Sequence, residues 1–170
     1  MNTSQNQQAN PSGLGGKYLT FIIANEHYGL EILKVREIIG VLPITPLPHS
    51  PPHVVGVINL RGRVIPVTDM RLRMKMPPTD TTRETCIIVV ELEDDGDSET
   101  MGIVVDEVAE VCDIRDVEAS TAPPFGSEVD SQHLLGVGRL EDRVVLLMDI
   151  DKVLRQDDVE VLSREASRTE

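Results

Sequence analysis

The chain has 170 residues, 40% of them hydrophobic but only 2% aromatic, and a formal net charge of −13 at pH 7. No apolar run approaches the roughly 20 residues that a transmembrane helix needs, and the acidic balance with few aromatic side chains argues against nucleic-acid binding. The first residues lack the basic and apolar segments of a signal peptide, so we expect a cytoplasmic protein. Cys86 and Cys112 lie in apolar strand patterns, which favours reduced thiols over a disulfide.

The first half of the chain predicts short strands joined by turns, following a polar tail over residues 1–16. The segment 35–41 is expected to form a third strand, or one helical turn followed by a strand. Asp69 is typical of an N-cap, and it predicts a short helix at its C-terminal side. In chain order the expected elements are strands at 17–24, 28–32 and 35–41, a proline-rich arm at 43–52, a tight hairpin of strands 57–60 and 64–68, and a helix at 70–74.

The second half predicts the same order of elements after a connector at 77–80. Its first turn, 93–99, is acidic and lengthened, and Asp149 predicts a second helix N-cap. A polar tail is expected over 156–170. The expected elements are strands at 85–92, 101–105 and 108–111, a proline-containing arm at 122–125, strands at 134–137 and 144–148, and a helix ending at 154.

The two halves are copies of one another. Residues 56–70 align with 136–150 without a gap, and six of the 15 positions are identical; residues 28–38 align with 101–111 in the same order. A repeat of this length predicts two similar modules rather than a solenoid. Because a module of this size has a marginal core alone, we expect two five-stranded barrels that share buried surface. The first covers about 17–76 and the second about 85–154.

Positions at which the halves differ are candidates for function, because the fold does not dictate them. Arg61 in the first hairpin stands where the second hairpin has Glu141, and Lys34 and Arg36 stand where the second half is acidic or neutral. Such a basic edge suits forked contacts with partner carboxylates, although drift on an exposed surface explains it equally well. A further alternative is that Arg61 pairs with Glu37 inside the protein.

The net charge is also divided unevenly along the sequence. Residues 17–76 have a net charge of +4 and residues 85–154 a net charge of −14. This division predicts two oppositely charged faces and an association with partners that slows as salt rises.

No motif for metal binding or catalysis is convincing. His49 and His53 are four residues apart, but the prolines between them exclude a regular helix. The acidic segment 94–99 lacks the spacing of a calcium loop and is expected to be a solvated hairpin tip. No nucleophile, phosphate-loop or dinucleotide motif occurs. We therefore expect no metal, no cofactor and no enzymatic activity.

Four segments resemble the CheW family of chemotaxis coupling proteins, and the likeness spans about residues 17–155. The Asn-Leu-Arg-Gly hairpin is its most specific part, whereas the acidic hairpin at 93–100 and the polar tail at 156–170 depart from the family. The segments are YGLEILKVREI (28–38), GVINLRGRVIPVTDMR (56–71), GIVVDEV (102–108) and DIDKVL (149–154).

The resemblance implies a mainly β fold of two pseudo-symmetric, five-stranded SH3-like barrels with short helices. It implies a non-catalytic adaptor that joins the cytoplasmic tips of chemoreceptors to the histidine kinase CheA, in membrane-associated receptor arrays. The receptor tip is expected in the groove between the barrels, the regulatory domain of CheA on the outer faces, and ring-forming self-association through similar contacts. The residues implied in receptor or kinase binding are Lys34, Val35, Arg36, Glu37, Asn59, Arg61 and Gly62. The rival hypothesis is a small enzyme or ligand carrier that uses the cleft between the barrels.

Overall fold

The computed structural model describes residues 14–94, 96–119 and 133–154. The expected arm at 122–125, the tail at 156–170 and nearly all of the tail at 1–16 lie outside the described residues. A turn of 3-10 helix at Ile32–Lys34 lies before the segment 35–41, and this segment forms a strand at Val35–Gly40, as the first of the two alternatives predicted. The elements are β1 (Gly16–Ile23), β2 (Glu26–Glu31), β3 (Val35–Gly40), β4 (Val54–Leu60), β5 (Arg63–Asp69), α1 (Met70–Arg73), β6 (Cys86–Asp94), β7 (Asp97–Val105), β8 (Glu107–Ile114), β9 (Asp116–Ala119), β10 (Leu134–Arg139), β11 (Val144–Met148) and α2 (Ile150–Val153).

The strands form two sheets, and each sheet contains strands from both halves of the sequence. The six-stranded sheet has the order β8-β1-β2-β11-β10-β9, and the five-stranded sheet has the order β3-β6-β7-β5-β4. The hairpin β1–β2 therefore lies among second-half strands, and the hairpin β6–β7 lies among first-half strands. The expectation of one barrel for each half did not foresee this exchange, because the two hairpins have the same pattern and each can complete either sheet. Within the described residues, no strand pairing joins the outer strands of a sheet.

The repeated hairpins are equivalent in the structure, as the sequence repeat predicted. Gly56 pairs with Val67 in the first hairpin, and Gly136 pairs with Leu147 in the second. Both hairpins have a register shift just before this glycine, where the strand carries a β-bulge. The gapless offset of 80 residues therefore marks a true structural repeat.

The ends of the two hairpins are also equivalent. The amide of Asp69 donates to the carbonyl oxygen of His53 at 2.8 Å, and the amide of Asp149 donates to that of His133 at 2.8 Å. Each aspartate then caps the helix that follows: the Asp69 carboxylate accepts the amide of Arg71, and the Asp149 carboxylate accepts that of Lys152. Both predicted N-caps are confirmed, and each satisfies a free amide of the first turn.

The exchange is made by two parallel strand pairs, which are counterparts of each other. Gly29 on β2 lies beside Leu147 on β11, and Gly102 on β7 lies beside Val67 on β5. A Cβ atom would stand 3.1 Å from Leu147 Cδ2 at the first glycine and 2.9 Å from Ile87 Cγ2 at the second. The missing side chain thus lets the exchanged hairpin approach its neighbours closely in both sheets.

The core has three parts, which follow the sheets. The largest cluster lies between the sheets and includes side chains from both halves and both helices, among them Phe21, Met70, Met101 and Ile150. This is the shared buried surface that the size of the modules predicted. A second cluster around Ile58 belongs to the five-stranded sheet, and a third around Tyr18, Ile114, Val145 and Leu147 belongs to the six-stranded sheet. Cys86 and Cys112 are free, half-buried thiols.

Candidate protein-binding surface

An ion pair brings the two edges of the five-stranded sheet together. Arg61, in the turn between β4 and β5, donates from Nη2 to the Oε2 atom of Glu37 on β3. The alternative in which Arg61 pairs with Glu37 is therefore confirmed. Between these edges lies an open cavity of about 250 Å³. Its apolar lining residues are Leu60, Ile65 and Val89, and its polar lining residues are Arg36, Glu37, Arg61, Arg63 and Thr100.

The turn that holds Arg61 has a conformation of its own. Arg61 and Gly62 have φ angles of 53° and 87°, as in a two-residue type I′ hairpin turn, and glycine is favoured at such a position. The side-chain oxygen of Asn59 accepts the Gly62 amide at 2.8 Å. In the second hairpin, the Leu140 amide donates to the carbonyl oxygen of Arg143 at 2.9 Å, which closes a turn of the same length, but neither Glu141 nor Asp142 in this turn has a positive φ angle. Asn59 and Gly62 thus shape the turn, and Arg61 is the residue that the turn projects.

The remaining basic residues of the predicted edge are also paired internally. Arg36 Nη1 lies 2.7 Å from Glu91 Oε1 on the neighbouring strand β6, and this hydrogen bond holds the pKa of Glu91 below its ordinary value. Lys34 Nζ lies 2.7 Å from Asp151 Oδ2 on α2. Burial alone would lower the pKa of Lys34, but the hydrogen bond to Asp151 and nearby carboxylates raise it. Each of these cations is therefore neutralised by a carboxylate of the same chain.

The predicted site residues fall into two groups. Arg36, Glu37 and Arg61 lie together at the cavity, with Asn59 and Gly62 in the turn beside them. Lys34 and Val35 lie at the junction of the two sheets, where the 3-10 helix passes into β3, and Val35 packs against the core between the sheets. The structure does not bring all seven residues into one surface.

The carboxylate–arginine bridge at the cavity has a counterpart in the second half. Glu110, the counterpart of Glu37, lies 3.0 Å from Nη2 of Arg143. Arg143 is the counterpart of Arg63 rather than of Arg61. In the first half, the bridge to the glutamate is therefore made by Arg61, which stands where the second half has Glu141. Arg63 lines the cavity instead.

Exposed apolar side chains add positions that the sequence analysis missed. Ile38 on β3 and Val64 on β5 are exposed, and so are their counterparts Val111 on β8 and Val144 on β11. Leu33, in the link between β2 and β3, is 92% exposed. The repeat alignment could have indicated four of these residues, because both halves have an apolar residue at the positions of Ile38 and Val64, and both positions face outward.

The strands of the two sheets do not divide by charge as the two halves of the sequence do, and the expectation of two oppositely charged faces stays a prediction. The strands of the six-stranded sheet carry two basic and seven acidic residues, and the strands of the five-stranded sheet also carry two basic and seven acidic residues. The net charge of the strands is thus −5 in each sheet. The hairpin exchange causes this equality, because it places the acidic hairpin β6–β7 in the sheet that otherwise contains first-half strands.

The described parts of the chain show neither a membrane-crossing element among the helices nor a metal cage. No helix there is long and apolar enough to cross a membrane. No three His, Cys, Asp or Glu side chains within 14–94, 96–119 and 133–154 are grouped so that they could hold a metal ion.

Comparison with known proteins agrees with this architecture. The family model described as "CheW-like domain" matches residues 17–158. The chain is 32% identical to the chemotaxis protein CheW of Klebsiella aerogenes over 153 residues, 90% of each chain, and 32% identical to that of Rhizobium meliloti over 86% of this chain and 92% of the relative. The crystal structure of the scaffolding protein TtCheW from Thermoanaerobacter tengcongensis matches with a TM-score of 0.72 and 29% identity, over 85% of this chain and 91% of that one. The chain belongs to the CheW-like domain family.

Proposed function

We propose that the protein is a non-catalytic adaptor of chemotaxis, which couples the cytoplasmic tips of chemoreceptors to the histidine kinase CheA. It works in the cytoplasm and is recruited to receptor arrays at the membrane. The family membership, the chemotaxis relatives and the similar structure described as a scaffolding protein support this proposal. No enzymatic step is needed for the role.

One observation carries the proposal: both halves present the same outward chemistry. Ile38 and Val64 in one half, and Val111 and Val144 in the other, are apolar and exposed. In each half a carboxylate–arginine bridge accompanies them. A molecule with two similar faces can engage two partners at once. Apolar contacts would supply most of the affinity at each face, because exposed ion pairs contribute little.

The seven candidate residues divide between two partners in this proposal. The cavity group with Arg36, Glu37 and Arg61 lies on an outer face and is assigned to the kinase regulatory domain or to a second copy in a ring. Lys34 and Val35, at the junction of the sheets, are assigned to the receptor tip. Asn59 and Gly62 act through the turn that they shape.

We further infer that each sheet curls into an SH3-like barrel. The bridge between Arg61 and Glu37 supports this shape for the five-stranded sheet, because it connects residues at the two outer strands β3 and β4. Each sheet also has its own apolar cluster. The two barrels would then meet at the core between the sheets.

The proposal is tested by co-purification with a chemoreceptor signalling fragment and the CheA regulatory domain. Both should be retained by the protein, and the receptor fragment should reach immobilised CheA domain only when the protein is present. Val64→Asp and Val144→Asp should each weaken kinase capture by about tenfold or more while receptor capture is unchanged. Failure to retain either partner would contradict the adaptor role. A thermal shift of several degrees with a metabolite would instead favour the enzyme or carrier hypothesis.

A further inference from the structure

The two halves use their hairpin arginines differently. In the second half, Arg143 follows the hairpin turn directly, and its Nη2 atom lies 3.0 Å from Glu110 Oε2 and 3.9 Å from Cys112 Sγ. The Arg143 side chain is only 22% exposed. The second half therefore uses this arginine within its own structure, since the guanidinium already has a carboxylate partner.

In the first half, the arginine at the equivalent position is unpaired. Arg61 occupies Glu37, and Arg63 is exposed, with no hydrogen bond or ion pair from its side chain to any described part of the chain. Arg36, the third arginine of the cavity, is paired with Glu91. Among the described residues that line the cavity, Glu37 is the only carboxylate. The cavity thus has one guanidinium more than the neighbouring carboxylates neutralise.

The cavity suits a carboxylate that comes from outside the chain. Leu60, Ile65 and Val89 line its apolar part and belong to the buried cluster of the five-stranded sheet. Arg63 and the hydroxyl-bearing Thr100 line its polar part. A guanidinium binds a carboxylate through two parallel N–H donors, which fixes the geometry of the contact. The open volume of about 250 Å³ has room for one acidic side chain.

The second hairpin of the chain carries such a side chain at its tip. Glu141, which stands where the first hairpin has Arg61, is exposed, and no described residue forms a hydrogen bond or ion pair with it. Val144 beside this tip is 40% exposed, and Val64 beside Arg63 is 37% exposed. Each surface therefore offers an unpaired charge next to an exposed apolar side chain, and the two charges are opposite.

We infer that Glu141 of one copy of the chain binds Arg63 in the cavity of a second copy, so that copies associate through unlike surfaces. The inference rests on the proposed function, which leaves this face to the kinase domain or to a second copy. Contacts between unlike surfaces close into a ring or continue as a filament, depending on the rotation between neighbours. Arg61 is a positioning residue for this contact, because it holds Glu37 and so leaves Arg63 free. A kinase domain at the same face would compete with the second copy.

Charge reversal tests the contact by sedimentation velocity of the full chain over a concentration series. Arg63→Glu and Glu141→Arg should each weaken self-association by about tenfold or more, because like charges then meet in the cavity. An equimolar mixture of these two variants should associate to within a few-fold of the original chain, because opposite charges meet again. The variant that carries both changes should do the same. The control is Arg83→Glu, at an exposed residue between α1 and β6, and it should leave association unchanged.

A second set of variants tests the positioning role of Arg61. In Arg61→Ala, Glu37 should bind Arg63, as the equivalent pair does in the second half. Self-association should then weaken although both contact residues are present. Adding Glu37→Gln should restore association, because no carboxylate of the cavity then competes for Arg63.

Three results would overturn the inference. The first is an original chain that stays monomeric at every concentration, and the second is a mixture that associates no better than the single variants. The third is an Arg63→Glu variant with unchanged self-association but weaker capture of the CheA regulatory domain, because the carboxylate then belongs to the kinase. Self-association is measured without receptor or kinase, so a failure of the adaptor role would be seen in the capture assays alone.

Discussion

Inverting the charges of the Arg61–Glu37 pair should separate the stability of the protein from its binding. The Arg61 side chain is 69% exposed and that of Glu37 is 32% exposed. An ion pair this open contributes about 0.2–1 kcal/mol to folding. Arg61→Glu removes that contribution and adds a like-charge repulsion of similar size, so the total loss should stay below about 2 kcal/mol. A domain with a folding stability of about 5–15 kcal/mol remains folded after such a loss.

Binding should suffer far more than folding in this variant. The pair fastens β3 to the turn between β4 and β5 and so fixes the shape of the cavity between them. We expect Arg61→Glu and Glu37→Arg each to weaken capture of the CheA regulatory domain by about tenfold or more. The double variant restores the pair with inverted charges, and its affinity should return to within a few-fold of the original.

The assay combines urea unfolding with titration of the kinase domain for the two single variants and the double variant. Arg139→Glu serves as the matched control, because Arg139 makes a similar 2.7 Å ion pair with Glu118 at 52% and 67% exposure, away from the cavity. The reasoning is refuted if Arg61→Glu unfolds the protein, or if it binds normally. It is refuted as well if the double variant binds no better than the single ones.

Three further predictions concern separate parts of the molecule. Gly56→Ala should lower the free energy of unfolding in urea by about 2 kcal/mol or more. The added Cβ atom would stand 2.1 Å from the Thr45 carbonyl oxygen, and the residue has a φ of +145°. The control is Gly40→Ala, where no atom lies within 4 Å of the added Cβ atom, and it should lower the free energy of unfolding by less than about 1 kcal/mol. Burial alone would raise the pKa of Asp106, but hydrogen bonds from the Arg71 guanidinium lower it. Its contribution to stability is therefore present above the ordinary aspartate pKa of about 3.9 and is lost as the pH falls through the lower folded value; Asp106→Asn should flatten this loss in urea unfolding between about pH 5 and pH 2. Leu33→Ser, at a side chain that is 92% exposed, should leave the urea midpoint unchanged within about 0.5 kcal/mol but weaken receptor capture while kinase capture persists.

Local features of the fold were predictable because the two halves repeat them. The hairpins and the caps at Asp69 and Asp149 each follow from a short stretch of sequence. Strand β9 was missed because it has no counterpart in the repeat alignment. The exchange of hairpins was missed for a different reason: a pattern that occurs twice does not state which copy pairs with which.

The basic edge illustrates the same limit for the candidate site. Lys34, Arg36 and Arg61 differ in charge from the residues at their repeat counterparts, and the sequence analysis noted them for that reason. The partner Glu37 of Arg61 was among the alternatives. The partners of the other two could not be deduced, because the pair of Arg36 with Glu91 depends on the hairpin exchange and the pair of Lys34 with Asp151 depends on a helix of the other half. A count of charges along the chain therefore described the composition of each half but not the charge of the strands in each sheet.

The hairpin exchange also connects the two proposed binding surfaces of the adaptor through a short stretch of chain. Strand β2 belongs to one sheet and β3 to the other, and only the three residues Ile32–Lys34 connect them. A rotation of one sheet against the other must therefore be absorbed in this link or must break the contact between Lys34 and Asp151. Because the link exposes Leu33 and continues into the strand that carries Glu37, a receptor bound at the junction would act on the same strand that forms the kinase face. By thermodynamic reciprocity, a kinase domain bound at that face must change the affinity of the junction for receptor by the same factor.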